Sequence, residues 1–223
     1  MDSQPNEKQW SRPIRLAHWA RAACIIILIA TGFYIARPFT VFSGETTEKF
    51  LMGDARFLHI LFGVLLSFVF IWRRYLTLFS KGSADWRDMF AWTDWRNMIR
   101  QIGFYTLLTN KPHEDKYLYG PFQSLVYTGL MLMVLFMVVT GLILTGACYH
   151  TGLTDVVYGL LKPVENLLGG LAGVRFLHHI VTWLFILFFV VHVYMAFWYD
   201  VVFGEGTVSS IISGKIFKNV EQQ

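Results

Sequence analysis

Four of the seven histidines in this 223-residue chain stand in or at the ends of apolar runs: His18, His59, His178 and His192. A neutral imidazole ligates transition metals through one ring nitrogen and relays protons through either. An ionisable ring inside an apolar run is costly and marks function by default. His178 and His192 are 14 residues apart. On a helix that spacing is about 21 Å of rise and close to four whole turns, so both rings leave one face. His179 would leave the side opposite His192, which selects His178 over its neighbour. His113 and His150 lie between the apolar runs, where solvated or interfacial roles are expected.

The elements that position these rings read as membrane spans. Hydrophobic residues make up 55% of the chain and charged residues 15%, whereas soluble domains carry near a quarter charged. A transmembrane helix needs roughly 20 mostly apolar residues. Four segments qualify, at about 18–36, 57–76, 122–147 and 176–199. The last two carry no formal charge, and Arg73 and Arg74 at the end of the second can snorkel to headgroups. Unbroken apolarity argues against soluble core helices, which would show a polar face. The expected fold class is all-α, an integral membrane four-helix bundle forming one domain over 1–223. Short surface amphipathic helices are expected in the loops. One falls in the connection holding Trp86, Trp92 and Trp95, the other between Cys148 and about Arg175.

Basic residues fix the expected orientation. Fourteen of the 19 Lys and Arg fall in the N-terminal region, the connection between the second and third spans, and the C-terminal tail. The remaining five are Arg37, Lys49, Arg56, Lys162 and Arg175. The positive-inside rule puts the larger set, with both termini, in the cytoplasm. The same clustering explains the net charge of +4 without nucleic acid. Cys24 and Cys148 form no CxxC and build no cluster or zinc site. The polar first 16 residues show no apolar core or cleavage site of a signal peptide, and no internal repeat is visible.

Depth then pairs the histidines. With the first span running outward, His18 is cytoplasmic. His59 begins an inward span near the outer surface, His178 is outer, and His192 lies in the cytoplasmic half. His59 pairs with His178 and His18 with His192, and each pair can supply both axial imidazoles of one haem. Taken singly, His18 or His59 is as readily an interfacial histidine; mid-span His192 is harder to place without a ligand. Gly63 lies one turn from His59, where a missing side chain admits a macrocycle, and Gly32 and Gly141 lie mid-span. Helix packing is the alternative use of these glycines. Arg56 and Arg175 stand beside the outer pair and Arg15 beside the inner one, as interfacial arginines or as propionate contacts.

The stretches RPIRLAHW, RFLHILFG and LHHIVTWLFILFFVVHVYMAF resemble the b-type cytochrome subunit of membrane-bound nickel–iron uptake hydrogenases. The similarity extends through ATGFYIARPF and VVFGEGTVSSIISGKIF to nearly the whole chain. The resemblance implies two haem b, held by His18 with His192 and by His59 with His178. It implies an iron–sulfur small subunit and a nickel–iron large subunit on the periplasmic side of a bacterial inner membrane. Electrons from dihydrogen would pass through this chain to a membrane quinone, with no hydrogen split here. Some family members carry an Asn-Pro-x-Gln element tied to quinone reaction. The matching residues here are Gly120, Pro121, Phe122 and Gln123, with Gly120 in the Asn position. His113, Lys116, Tyr117 and Tyr119 are the neighbouring polar candidates.

Two other readings compete. The di-haem membrane subunit of formate dehydrogenase shares the four-helix plan and changes only the electron donor. A histidine-lined transporter would need acidic residues along a path or broken, inverted repeats; the third and fourth spans have neither an acidic residue nor a proline in their cores.

Overall fold

A computed structural model describes residues 4–8, 10–38, 50–79, 88–106, 108, 120–203 and 207–218. Among them are seven α-helices: α1 (Arg12–Ala36), α2 (Leu51–Phe79), α3 (Trp95–Tyr105), α4 (Pro121–Gly146), α5 (Gly152–Leu167), α6 (Gly170–Phe203) and α7 (Thr207–Ser213). A 3-10 helix covers Asp88–Thr93. Two short strands, β1 (Gln4–Lys8) and β2 (Lys215–Lys218), pair antiparallel with Lys8 opposite Lys215. Helices α1, α2 and α4, with Gly170–Trp198 of α6, are long and apolar enough to cross a membrane. The fold is thus the expected all-α membrane bundle, with a terminal ribbon that apolar patterning does not announce.

The span boundaries explain themselves locally. Helices α1, α2 and α6 begin at residues 12, 51 and 170, each six residues ahead of its apolar run. Hydropathy sees only the hydrocarbon layer, whereas a helix continues into the headgroups while its backbone stays bonded. Pro13 sits in the first turn of α1 and Pro121 opens α4, where a missing N–H costs nothing. Arg37 is extended, at φ −149° and ψ 93°. Pro38 behind it disfavours the helical region and stops α1. Gly169 and Gly170 take φ of 86° and 75°, letting the chain reverse from α5 into α6.

The described chain divides into two compact units, Met1–Arg73 with Val138–Gln223, and Arg74–Met137, the boundary falling inside α2 and α4. In the first, buried side chains are few: Ala17, Cys24, Leu66, Ile143, Val174 and Phe185 among them. Phe68, Ile71, Phe176 and Leu187 are exposed. That pattern would be ruinous in water and is ordinary in lipid, where apolar surface loses nothing by exposure. Gly146 lets α5 approach α4: a Cβ there would lie 2.6 Å from Cβ of Tyr158. The two ends of the chain meet. The Trp10 indole donates to the Ser210 hydroxyl at 3.2 Å, the Trp19 indole to the Ile211 carbonyl at 3.2 Å, and Arg15 Nη1 to the Ile212 carbonyl.

In the second unit, α3 is the expected amphipathic helix of the Trp-rich connection. Asn97, Met98 and Gln101 are buried, while Trp95, Ile99 and Ile102 form an exposed apolar stripe with Arg96 and Arg100 beside it. Apolar stripe and flanking arginines suit a helix lying in the headgroup plane. Asp94 caps it, accepting from the Asn97 N–H at 3.2 Å. Gln101 Oε1 accepts from the Phe122 N–H at 2.7 Å, satisfying an orphan donor at the start of α4. Trp86 lies outside the described residues, as do the candidates His113, Lys116, Tyr117 and Tyr119.

Candidate functional site

Helix α6 carries His178 and His192 on one face, and each meets one ring from another helix. The rings of His18 on α1 and His192 have centroids 6.2 Å apart, with planes at 44°. The rings of His59 on α2 and His178 have centroids 6.4 Å apart, with planes at 61°. His179 takes no part. It accepts from the Trp183 indole at 3.3 Å and meets the Phe33 ring edge-on at 5.4 Å.

The spacing has a chemical meaning. A metal–imidazole bond is about 2.0–2.1 Å, and the ring centre lies roughly 1 Å behind the nitrogen, so two imidazoles in line across one metal ion have centroids about 6 Å apart. Both pairs match. Among the described residues no three or more His, Cys, Asp or Glu side chains gather around a metal position. Each pair therefore offers two ligands, the number a porphyrin iron leaves open on its axis. Phe188 stacks on His192 at 5.3 Å, and the buried Nδ1 of His18 has no hydrogen-bond partner among the described residues.

The His59–His178 pair is held differently. Thr31 Oγ1 lies 2.9 Å from His59 Nδ1, and Thr140 Oγ1 lies 2.8 Å from His178 Nδ1. A glycine follows each threonine. A Cβ on Gly32 would come within 3.2 Å of His59 Cε1, and one on Gly141 within 3.8 Å of His178 Cε1. So one Thr-Gly step on α1 and another on α4 abut the two rings. Composition and spacing gave no reason to single out these threonines; the signal available was the recurrence of Thr-Gly in the spans facing the two histidines. At Gly63 a Cβ would meet nothing within 4 Å.

The tetrapeptide RFLH occurs at 56–59 and again at 175–178. It puts Arg56 and Arg175 three residues before the paired histidines, on the same helical side, and both arginines are exposed. Arg15 stands three residues before His18 and spends Nη1 on the Ile212 carbonyl. Gly120 is buried; Gln123 is exposed and its Oε1 accepts from the Gly120 N–H at 3.3 Å. His150 is an exposed loop residue 3.7 Å from Asp155, as expected.

Four apolar helices with two facing imidazole pairs define a helical membrane protein whose histidines meet at two levels of one span. The prokaryotic cytochrome b561 family matches residues 9–214. The chain is 31% identical over 220 residues to the "Probable Ni/Fe-hydrogenase B-type cytochrome subunit" of Rhizobium leguminosarum bv. viciae, across 95% of this chain and 90% of that one. Its counterpart in Rhodobacter capsulatus is 31% identical over 220 residues, covering 94% and 81%. The "Probable Ni/Fe-hydrogenase 1 B-type cytochrome subunit" of Escherichia coli is 27% identical over 211 residues, covering 91% and 87%. The chain belongs to the prokaryotic cytochrome b561 family and is a membrane b-type cytochrome, a class that carries haem b.

Proposed function

We propose that this chain is the membrane electron-transfer subunit of a nickel–iron hydrogenase, linking an iron–sulfur partner outside the membrane to a quinone within it. The single observation that carries the reading is the pair of ring spacings, 6.2 and 6.4 Å, at two levels of α6. The names borne by the relatives support the choice of partner complex. His59 and His178 hold one haem b, and His18 and His192 hold a second. Haem b supplies reversible one-electron chemistry when bound; the protein supplies binding, orientation and electrostatics.

The positive-inside rule places both termini in the cytoplasm of a bacterial inner membrane, so the His59–His178 level lies on the periplasmic side near the hydrogenase small and large subunits. Arg56 and Arg175 reach that level's propionates by charge-assisted hydrogen bonds, and Arg15 serves the other level. Gly120 and Gln123 are the candidates for the quinone, together with Tyr119 and His113, which lie outside the described residues. The chain itself splits no hydrogen. Its residues separate electron entry from quinone reduction by the depth between His178 and His192, about 21 Å along the helix.

His192→Ala tests the reading in the intact complex. Hydrogen-dependent reduction of an artificial dye should be retained, while hydrogen-dependent quinone reduction should fall to background. Persistent quinone reduction would contradict the route.

A further inference from the structure

The two imidazole pairs differ in what stands behind the rings. Thr31 and Thr140 come from different helices, yet each puts a hydroxyl oxygen within 2.9 Å of a ring Nδ1 in one pair. Each threonine meets Nδ1, which leaves Nε2 of both rings for a metal.

The direction of the Thr31 bond follows from counting protons. A threonine hydroxyl has one proton and two lone pairs. Thr31 Oγ1 lies 2.7 Å from the Ile27 carbonyl and 3.3 Å from that of Leu28. These carbonyls accept only, so the hydroxyl proton points back along α1. The oxygen is left to accept, and His59 Nδ1 must donate. A neutral imidazole that donates from Nδ1 carries its lone pair on Nε2. At His178, metal bonding through Nε2 leaves the ring proton on Nδ1, and Thr140 is positioned to accept it.

We infer that Thr31 and Thr140 are positioning residues: they fix the tautomer and tilt of His59 and His178 and strengthen both as donors to one iron. The inference rests on the two-haem reading above. An acceptor behind Nδ1–H raises the basicity of a ligating imidazole. A more basic axial pair stabilises the oxidised iron and lowers its potential. The other pair lacks this support at His18, whose buried Nδ1 has no hydrogen-bond partner among the described residues. The level held by His59 and His178 is accordingly tuned below the level held by His18 and His192. With haem bound at both levels, that ordering would favour electron transfer from the first to the second.

The test is a spectroscopic redox titration of the purified protein, with electron paramagnetic resonance of the oxidised form, for wild type, Thr31→Val, Thr140→Val, the double variant and the two Thr→Ser variants. Valine keeps the shape, loses the hydroxyl and is at home in an apolar span. Each valine variant should raise one of the two midpoint potentials and shift one low-spin ferric signal, the double variant more so. The other haem should not move, and serine should restore wild-type values. Loss of one haem in the valine variants with retention in the serine variants supports the same role. Two haems with unmoved potentials and signals overturn it, as does equal loss in valine and serine variants, which would mean packing alone. Wild type holding fewer than two haems would overturn the two-haem reading itself.

Discussion

Gly32 lies against the ring of His59 so closely that a Cβ at position 32 would stand 3.2 Å from Cε1. At the matching step on α4, Gly141 leaves 3.8 Å to His178 Cε1, an ordinary contact. The two glycines should therefore respond unequally. Gly141→Ala should retain wild-type haem content and spectrum. Gly32→Ala should displace the His59 ring by a few tenths of an ångström and shift the signal of one haem, and Gly32→Val should abolish that haem. Overpacking of this kind typically costs about 1–3 kcal/mol. Equal tolerance at both positions, read from the absorption spectrum, would contradict the geometry.

His178 and His179 are adjacent and chemically identical, yet only one faces a second histidine. His179 is engaged with Trp183 and Phe33. His178→Ala should remove one haem per chain, while His179→Ala should leave both and cost only local packing. The measurement is the pyridine haemochromogen assay on purified variants. Haem loss on replacing His179 with retention on replacing His178 would reverse the assignment.

Acid sensitivity should concentrate in α5. Lys162 Nζ donates to the Tyr158 hydroxyl at 2.9 Å and to both Glu165 oxygens at 2.9 and 3.0 Å. The Lys162 hydrogen bond, foremost, holds the Glu165 carboxyl below its ordinary range. Bonding to Tyr158 first, then to Glu165, holds the Lys162 ammonium above its own. A lowered carboxyl contributes stability above its unfolded value and loses it as pH falls through the lowered one; a raised ammonium contributes below its unfolded value and loses it as pH rises through the raised one. The protection of α5 amides, taken as exchange relative to the intrinsic rate at each pH, should be highest across the neutral range and fall below the normal carboxylate range. Glu165→Gln should flatten that acid limb, and an unchanged limb would contradict the role of the bond.

The four spans were legible because hydropathy reports the environment directly, and α4, with no formal charge, matches its expected bounds of 122–147 to within one residue. The starts of α1, α2 and α6 were not, since the polar residues that continue each helix leave no apolar signal. The pairing of the histidines was legible from the 14-residue spacing on α6 and the alternation of span direction. The threonines behind His59 and His178 were not: a lone Thr within a span looks like any small residue until the neighbouring helix is in place. Arg15 shows the same limit. Its distance from His18 along the chain was visible, but its bond to the Ile212 carbonyl joins residues 197 positions apart.

The central claim is that each level of α6 helps to grip one haem, and haem quantification against polypeptide tests it most directly. Wild type should contain two haem b per chain, His59→Ala and His18→Ala one each, and the double variant none. A single haem in wild type, or two retained after either substitution, would contradict the account.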